Sequence, residues 1–133
     1  MKHHKTIGLA VRQVHIDEVV GEAMVKIVSN HYPRRNIHDL PSVKVAELYA
    51  VVMCVSDLLR EDKWHLQHAQ SGAPLLFENE TRSALSISIS HTVDKTEEGG
   101  IAYAAVILSR EVEKIGVDIV LKADLRLKRI AHR

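Results

Sequence analysis

The stretch from Leu85 to Ser90 alternates apolar and small polar residues without a break, in the order LSISIS. Side chains of an extended chain point alternately to its two faces, whereas a helix would spread the same residues around its circumference. The alternation therefore predicts a β-strand with one apolar face against a core and one serine face. It commits the chain to a fold that contains a sheet.

Two other stretches repeat their apolar residues at helical spacing. Residues 42–60 do so throughout, and Pro41 and Ser42 are suitable residues for a helix start. Residues 16–27 show the same spacing, which weakens at Ser29. The sequence therefore predicts two amphipathic helices beside the sheet.

About five strands are expected in all, at residues 7–14, 63–69, 84–92, 101–109 and 114–120. Gly72 and Pro74 mark a turn before a short apolar segment, and a turn at residues 110–113 is expected to join the last two strands. The acidic stretch 93–100 is predicted to be a loop, and residues 123–133 are again helical in pattern. These elements predict an α+β fold, a mostly antiparallel sheet packed with helices, in a single domain over residues 1–133.

Composition narrows the class of protein. The chain has 133 residues, 46% of them hydrophobic and 26% charged, which is typical of one soluble domain. A net charge of +1 argues neither for nor against nucleic acid, so any binding site must be local. No run approaches the roughly 20 apolar residues of a membrane span. We expect a cytoplasmic protein with no nucleic-acid or membrane partner, and the single Cys54 excludes an internal disulfide.

Asp118, in the apolar run IGVDIV, is the first candidate for chemistry. An aspartate at a strand end is often only a turn former or the cap of the next helix. The functional alternative is a ligand for a hard cation, because Mg²⁺ commonly holds a nucleotide phosphate through one or two carboxylates and waters. Spacing alone leaves both interpretations open.

The nine histidines do not form a zinc motif. If residues 63–69 are a strand, His65 and His68 point to opposite faces, and neither CxxC nor HExxH occurs. His91, at a strand end, is expected to make a backbone hydrogen bond if it has no other role. A basic run near the C-terminus is either a solvated helix face or a docking face for an acidic partner; it comprises Lys122, Arg126, Lys128, Arg129 and Arg133.

Three short motifs follow one another in a particular order. They are GAP at residues 72–74, SISISHT at 86–92 and IGVDIV at 115–120. This order and spacing resembles the 4′-phosphopantetheinyl transferases, over roughly residues 41–133. The resemblance implies one half of the family's pseudo-dimeric α+β fold, in which two similar halves enclose the active site.

The resemblance also implies an activity, which is transfer of phosphopantetheine from coenzyme A to a serine of an acyl or peptidyl carrier protein. Asp118 would be the Mg²⁺ ligand, and Ser90 and His91 would contact the coenzyme A phosphates. The turn of Gly72, Ala73 and Pro74 would lie against the adenosine portion, where a glycine lets the backbone approach closely. Arg34 and Arg35 fall where the family supplies cations for the 3′-phosphate.

The chain departs from the family pattern at several positions. Ala73 replaces the usual lysine of the turn, Ser88 replaces an asparagine, and Val120 stands where many members have a glutamate. The family's later half, with a glutamate metal ligand and a glutamate-lysine pair on a helix, does not lie within these residues. We therefore expect the N-terminal half of a longer transferase, lacking a second metal ligand and a general base, with an apolar face prone to self-association.

Two alternatives to a transferase remain open. One is a non-catalytic module, derived from the same fold, that binds coenzyme A or a carrier protein, which Ala73 and Val120 favour. The other takes IGVDIV as the strand-end aspartate of a nuclease or actin-like ATPase, but further carboxylates or a Gly-Thr phosphate loop are missing from the sequence.

Overall fold

Two three-stranded antiparallel sheets and two helices make up the computed structural model, which describes residues 2–16, 21–60, 62–95 and 100–113. In chain order the elements are β1 (Lys2–His15), α1 (Glu22–His31), a 3-10 turn (Ile37–Asp39), α2 (Ser42–Leu59), β2 (Trp64–His68), β3 (Pro74–Glu78), β4 (Thr81–Arg82), β5 (Leu85–Asp94) and β6 (Ile101–Glu113). The larger sheet has the order β1-β6-β5, and the smaller one β2-β3-β4. The predicted α+β class is confirmed, with two sheets in place of the single sheet expected.

Strand β5 confirms the alternation from which the sheet was predicted. Ile87 is only 7% exposed, whereas Ser88 and Ser90 are exposed on the opposite face. The strand pairs along its whole length with β6, from Leu85 opposite Arg110 to Asp94 opposite Ile101. The apolar side therefore faces the core, as the period of two requires.

Helix α2 covers the larger sheet and supplies more buried residues to the described core than any other element. Its predicted extent, residues 42–60, agrees with Ser42–Leu59, and it contacts both β1 and β6. Gly8 of β1 allows a close approach, since a Cβ built there would lie 2.8 Å from Cδ2 of Leu58. Cys54 is fully buried in this contact, and burial raises the pKa of its thiol to about 11. The thiol is therefore protonated and structural.

The first predicted helix is wrong in its start. Ile16 lies outside α1 and donates its N–H to the carbonyl of Gly100, 3.0 Å away, at the end of the larger sheet. Its backbone therefore continues the sheet, and helix α1 begins only at Glu22. The apolar spacing of residues 16–27 did not separate these two parts.

The predicted turn at residues 110–113 is also wrong, because these residues continue strand β6. Strand β1 begins at Lys2, well before the predicted Ile7, and so offers hydrogen-bond partners to all of them, from Lys5 opposite Arg110 to Lys2 opposite Glu113. The strand predicted at residues 114–120 and the helical pattern at 123–133 lie outside the described residues. Within the described ranges, no helix has the length and apolar character needed to span a membrane.

Candidate functional site

A cleft of about 220 Å³ opens where the two sheets and the start of α2 meet. Four residues predicted from the sequence line it, namely Arg35, Gly72, Pro74 and His91. The remaining lining residues are Tyr32, Lys44, Leu48, Val51, His68 and Ile89. Segments that are distant in sequence thus converge on one concave surface.

The turn between β2 and β3 forms one wall of the cleft. Ala69 donates its N–H to the carbonyl of Ala73 at 2.8 Å, and Gly72 donates to the carbonyl of Ala69 at 2.8 Å. Gly72 has a φ of +90°, which side-chain-bearing residues rarely adopt, so the turn requires glycine there. A Cβ on Gly72 would meet no atom within 4 Å. The turn therefore presents bare backbone to open space.

The connector after α1 brings Arg35 to the cleft. Tyr32 is 2% exposed, and the Arg35 N–H donates to its carbonyl at 3.1 Å. Burial raises the pKa of the Tyr32 phenol well above its usual value, so the ring is a neutral anchor. His68 stacks on this ring, with centroids 6.4 Å apart. The anchored tyrosine thus positions a cation and an imidazole on one side of the cleft.

Lys44 is a cation of the cleft that the sequence reasoning missed. It lies in the first turn of α2, and Leu48 and Val51 follow it at i+4 and i+7, on the same face of the helix. The helical spacing was visible in the sequence and could have placed Lys44 beside those residues. What the sequence did not show was that this end of the face borders a cleft.

The electrostatics of the cleft are positive around His68. Burial lowers the pKa of His68, and the positive charges of Arg35 and Lys44 lower it further. Within the described ranges no carboxylate pairs with Arg35 or Lys44. The cleft is therefore suited to an anion, which would be attracted by Arg35 and Lys44.

His91 extends from the end of β5 and pairs with Glu47 of α2, the Nδ1 atom of the ring contacting Oε2 of the carboxylate. The partner of His91 in the described contacts is therefore a side chain and not the backbone. Ser90, its neighbour, lies on the other face of the strand, opposite Ala105, and lines a second depression of about 150 Å³ with Val11, which His91 also borders. The structure therefore brings His91, and not Ser90, into the cleft.

The remaining predicted site residues are placed as follows. Ala73 is exposed at the turn beside the cleft, and its N–H donates to Oγ of Ser71 at 3.4 Å. Arg34 lines a depression of about 220 Å³ that shares Arg35 and His68 with the cleft. Asp118 lies outside the described residues. In the part of the chain that the structure describes, no three histidine, cysteine, aspartate or glutamate side chains gather to hold a metal ion.

A larger cavity, about 400 Å³, opens at the far end of β2 and contains none of the residues predicted for the site. His65 lines it, stacked on Phe77 with centroids 5.0 Å apart, whereas His68 faces the cleft. The two histidines thus lie on opposite sides of β2, as predicted, and do not form a metal pair. Size alone does not make this cavity the site, because its Lys63 stands among the carboxylates of Asp62 and Glu80.

Comparison with solved structures finds proteins that are similar to this chain. The acyl carrier protein synthase of Plasmodium yoelii, solved with ADP bound, is 12% identical, with a TM-score of 0.54 over 81% of this chain and 98% of that chain. A holo-(acyl-carrier-protein) synthase from Bacillus anthracis str. Ames, in complex with CoA (3′,5′-ADP), is 14% identical, with a TM-score of 0.48 over 79% and 97% of the two chains. No protein-family model and no curated protein matches the sequence.

The likeness to the Plasmodium synthase shows a shared fold. Since it takes in 98% of that chain, the protein contains one whole unit of the synthase architecture. The fold expected from the resemblance to the phosphopantetheinyl transferases is confirmed.

Proposed function

We propose that this chain is a phosphopantetheinyl transferase unit, which moves phosphopantetheine from coenzyme A to a serine of an acyl or peptidyl carrier protein. One observation carries the proposal: on a fold shared with an acyl carrier protein synthase, Arg35, Lys44, His68 and His91 surround the backbone turn at Gly72. The cleft is the site of the nucleotide end of coenzyme A.

The charges and the size of the cleft support a phosphate ligand. A hydrogen bond between a charged donor and a phosphate oxygen stabilises a complex by about 1.5–3 kcal/mol, and Arg35 and Lys44 have no described carboxylate to compete for them. The volume of about 220 Å³ is smaller than a pocket for a whole drug-sized ligand, which is about 300–1,000 Å³. The cleft therefore holds the phosphate end, and the adjoining depression at Arg34 extends it.

In the proposed reaction, the serine hydroxyl of the carrier attacks the pantetheine-linked phosphorus of coenzyme A. A new P–O bond to the serine forms, the P–O bond to 3′,5′-ADP breaks, and the hydroxyl proton passes to a general base. Arg35, Lys44 and His91 bind and orient the departing 3′,5′-ADP through its anionic oxygens. These residues stabilise negative charge but do not supply the base.

A Mg²⁺ ion would polarise the reacting phosphoryl group and neutralise the leaving group. The described residues do not form a site for it. Asp118 therefore remains the proposed ligand, and we propose that further carboxylates and the base come from a second unit, with this chain acting as the N-terminal half of a longer transferase. The apolar face of β1, where Leu9 and Val11 are more than 60% exposed, is the surface proposed for self-association or for that second unit.

A binding module without catalysis is the second candidate, and one observation favours it. Among the described residues, the carboxylate bonded to a lining residue of the cleft is that of Glu47, which is already paired with His91. The described cleft can therefore bind a nucleotide but offers no free carboxylate to act as the base.

Calorimetry with the full chain tests the binding step. We expect 3′,5′-ADP to bind, and Arg35→Ala or Lys44→Ala to weaken it by about tenfold or more, as loss of one charge-assisted hydrogen bond requires. Lys63→Ala, which removes a cation from the larger cavity, is the matched control and should leave the affinity unchanged. Failure of the wild-type chain to bind 3′,5′-ADP, or an equal loss in Lys63→Ala, would overturn the proposal.

A second assay separates the two candidates. The chain is incubated with Mg²⁺, coenzyme A and an apo carrier protein, and the mass of the carrier is measured. A gain of one phosphopantetheine identifies a transferase. Binding of 3′,5′-ADP and of coenzyme A without this gain identifies a binding module.

A further inference from the structure

His91 is held at the cleft by a carboxylate from another element. It follows Ile87 and Ile89 on the inward side of β5, so its ring points toward α2 rather than to the serine face. There Nδ1 contacts Oε2 of Glu47, one helical turn beyond Lys44. The side chains of Glu47 and His91 are 14% and 31% exposed, so water only partly screens the pair.

This contact determines where the ring carries its protons. A carboxylate is only an acceptor, so Nδ1 must be the donor in the pair. The other ring nitrogen, Nε2, is then available to a ligand. In the neutral ring Nε2 has only a lone pair, and an anionic oxygen has no proton to donate to it. In the imidazolium Nε2 carries an N–H, which can donate to the anion.

We infer that Glu47 is a positioning residue for anion binding: its carboxylate accepts from Nδ1–H of His91 and balances the charge of the imidazolium, whose Nε2–H donates to a ligand phosphate. The inference rests on the proposed function, because it takes the phosphate of a nucleotide as the ligand. The imidazolium then lies between two anions, the Glu47 carboxylate and the phosphate. An orienting carboxylate of this kind is what fixes the tautomer of histidines in many sites.

Among the described residues, three other basic side chains, from three different parts of the fold, border the cleft. Arg35 from the connector and Lys44 from α2 place positive charge near the ligand, and the imidazole of His68 from β2 faces the same cleft. Glu47 is the described negative charge that opposes them at this ring. Without it, an approaching phosphate would meet a neutral ring whose tautomer is no longer selected.

A simpler role would be a tie between α2 and β5 that only stabilises the fold. Such a tie would affect the melting temperature but neither the protonation of the ring nitrogens nor the affinity for an anion. Asp57, near the other end of α2, offers a comparison, because its pair with Arg12 ties the same helix to β1 away from the cleft. Asp57→Asn is therefore the matched control for Glu47→Gln.

The experiment uses the full chain labelled with ¹⁵N and records long-range ¹H–¹⁵N spectra of His91, with calorimetry of 3′,5′-ADP on the same samples. In the free wild type we expect Nδ1 protonated, and with 3′,5′-ADP both nitrogens protonated. In Glu47→Gln the proton of the neutral ring should be shared between Nδ1 and Nε2, because an amide can donate as well as accept, and the affinity should fall by about tenfold because no carboxylate balances the imidazolium. Asp57→Asn should change neither the His91 nitrogen spectrum nor the 3′,5′-ADP affinity. Both variants should melt cooperatively.

The outcomes distinguish the inference from the proposed function. If Glu47→Gln leaves the 3′,5′-ADP affinity and the nitrogen spectrum of His91 unchanged, the inference is overturned while the function stands. If the melting temperature of Glu47→Gln falls while the nitrogen spectrum and the affinity stay the same, Glu47 has only the structural role, and the inference is also overturned. If the wild-type chain does not bind 3′,5′-ADP, the proposed function itself fails, whichever tautomer His91 adopts.

Discussion

Replacing Gly72 with alanine should destabilise the turn that forms one wall of the cleft. The residue has a φ of +90°, and the left-handed region costs a residue with a side chain about 1–2 kcal/mol. The lower entropy of the unfolded chain with alanine offsets about 0.4–1 kcal/mol of this. No atom lies within 4 Å of the new Cβ, so no clash adds to the cost. The net loss is about 1 kcal/mol.

Differential scanning calorimetry measures this loss. For a domain of this size, 1 kcal/mol corresponds to about 4 °C, so Gly72→Ala should melt about 2–6 °C below the wild type. Gln70→Ala changes an exposed residue of the same turn without a positive φ, and should shift the free energy of unfolding by less than about 0.5 kcal/mol. Equal melting temperatures for the two variants would refute the backbone argument.

The same variant tests whether a ligand lies on the turn. The new methyl group would project into the open space above Gly72, where the proposed nucleotide approaches the backbone. The affinity of folded Gly72→Ala for 3′,5′-ADP should therefore fall, whereas that of Gln70→Ala should not. An unchanged affinity in the folded variant would place the nucleotide elsewhere and leave the backbone argument intact.

Three further predictions follow from individual residues. Glu80 has a φ of 69° in the turn between β3 and β4, so Glu80→Gly should raise the melting temperature by about 2–5 °C, while Glu80→Ala should not. Arg12 lowers the pKa of Asp57, so their pair stabilises the fold above the ordinary carboxyl pKa and loses this effect as the pH falls through the lowered value; urea titrations of Asp57→Asn should show a weaker pH dependence in acid. Bound 3′,5′-ADP should raise the pKa of His68 in NMR titrations, and its affinity should weaken as the pH rises through that pKa.

The elements predicted correctly are those in which apolar residues repeat at regular spacing along the full length of the element. Strand β5 repeats its pattern every two residues, and helix α2 keeps its apolar spacing from Ser42 to Leu59, so one signal determines both type and extent. The extent of β6 has a different origin. Residues 110–113 are polar or charged apart from Val112, and they form a strand because β1 begins early enough to pair with them. Such an extension depends on a partner distant in sequence.

The site shows the same division between local and distant information. The glycine turn and the histidine at the end of β5 were predicted as separate motifs, and the structure brings Gly72 and His91 together. Lys44 and His68 belong to no sequence motif, and they join the site only because α2 begins and β2 ends beside it. Ser90 was predicted as the partner of His91, but adjacent residues of a strand face opposite ways, so His91 lines the cleft and Ser90 does not.

Electrostatics support the proposal that the active site is divided between two units. Phosphate binding requires uncompensated cations, and the described cleft supplies Arg35 and Lys44 for it. A Mg²⁺ site and a general base require uncompensated carboxylates, which would pair with those cations if they lay in the same small cleft before the ligand arrived. Glu47 illustrates the point, because its carboxylate, which among the described residues is the one bonded to a lining residue, is occupied by His91. Carboxylates brought by a second surface, and separated from the cations by the bound pyrophosphate, avoid this neutralisation, and the substrate itself then completes the site.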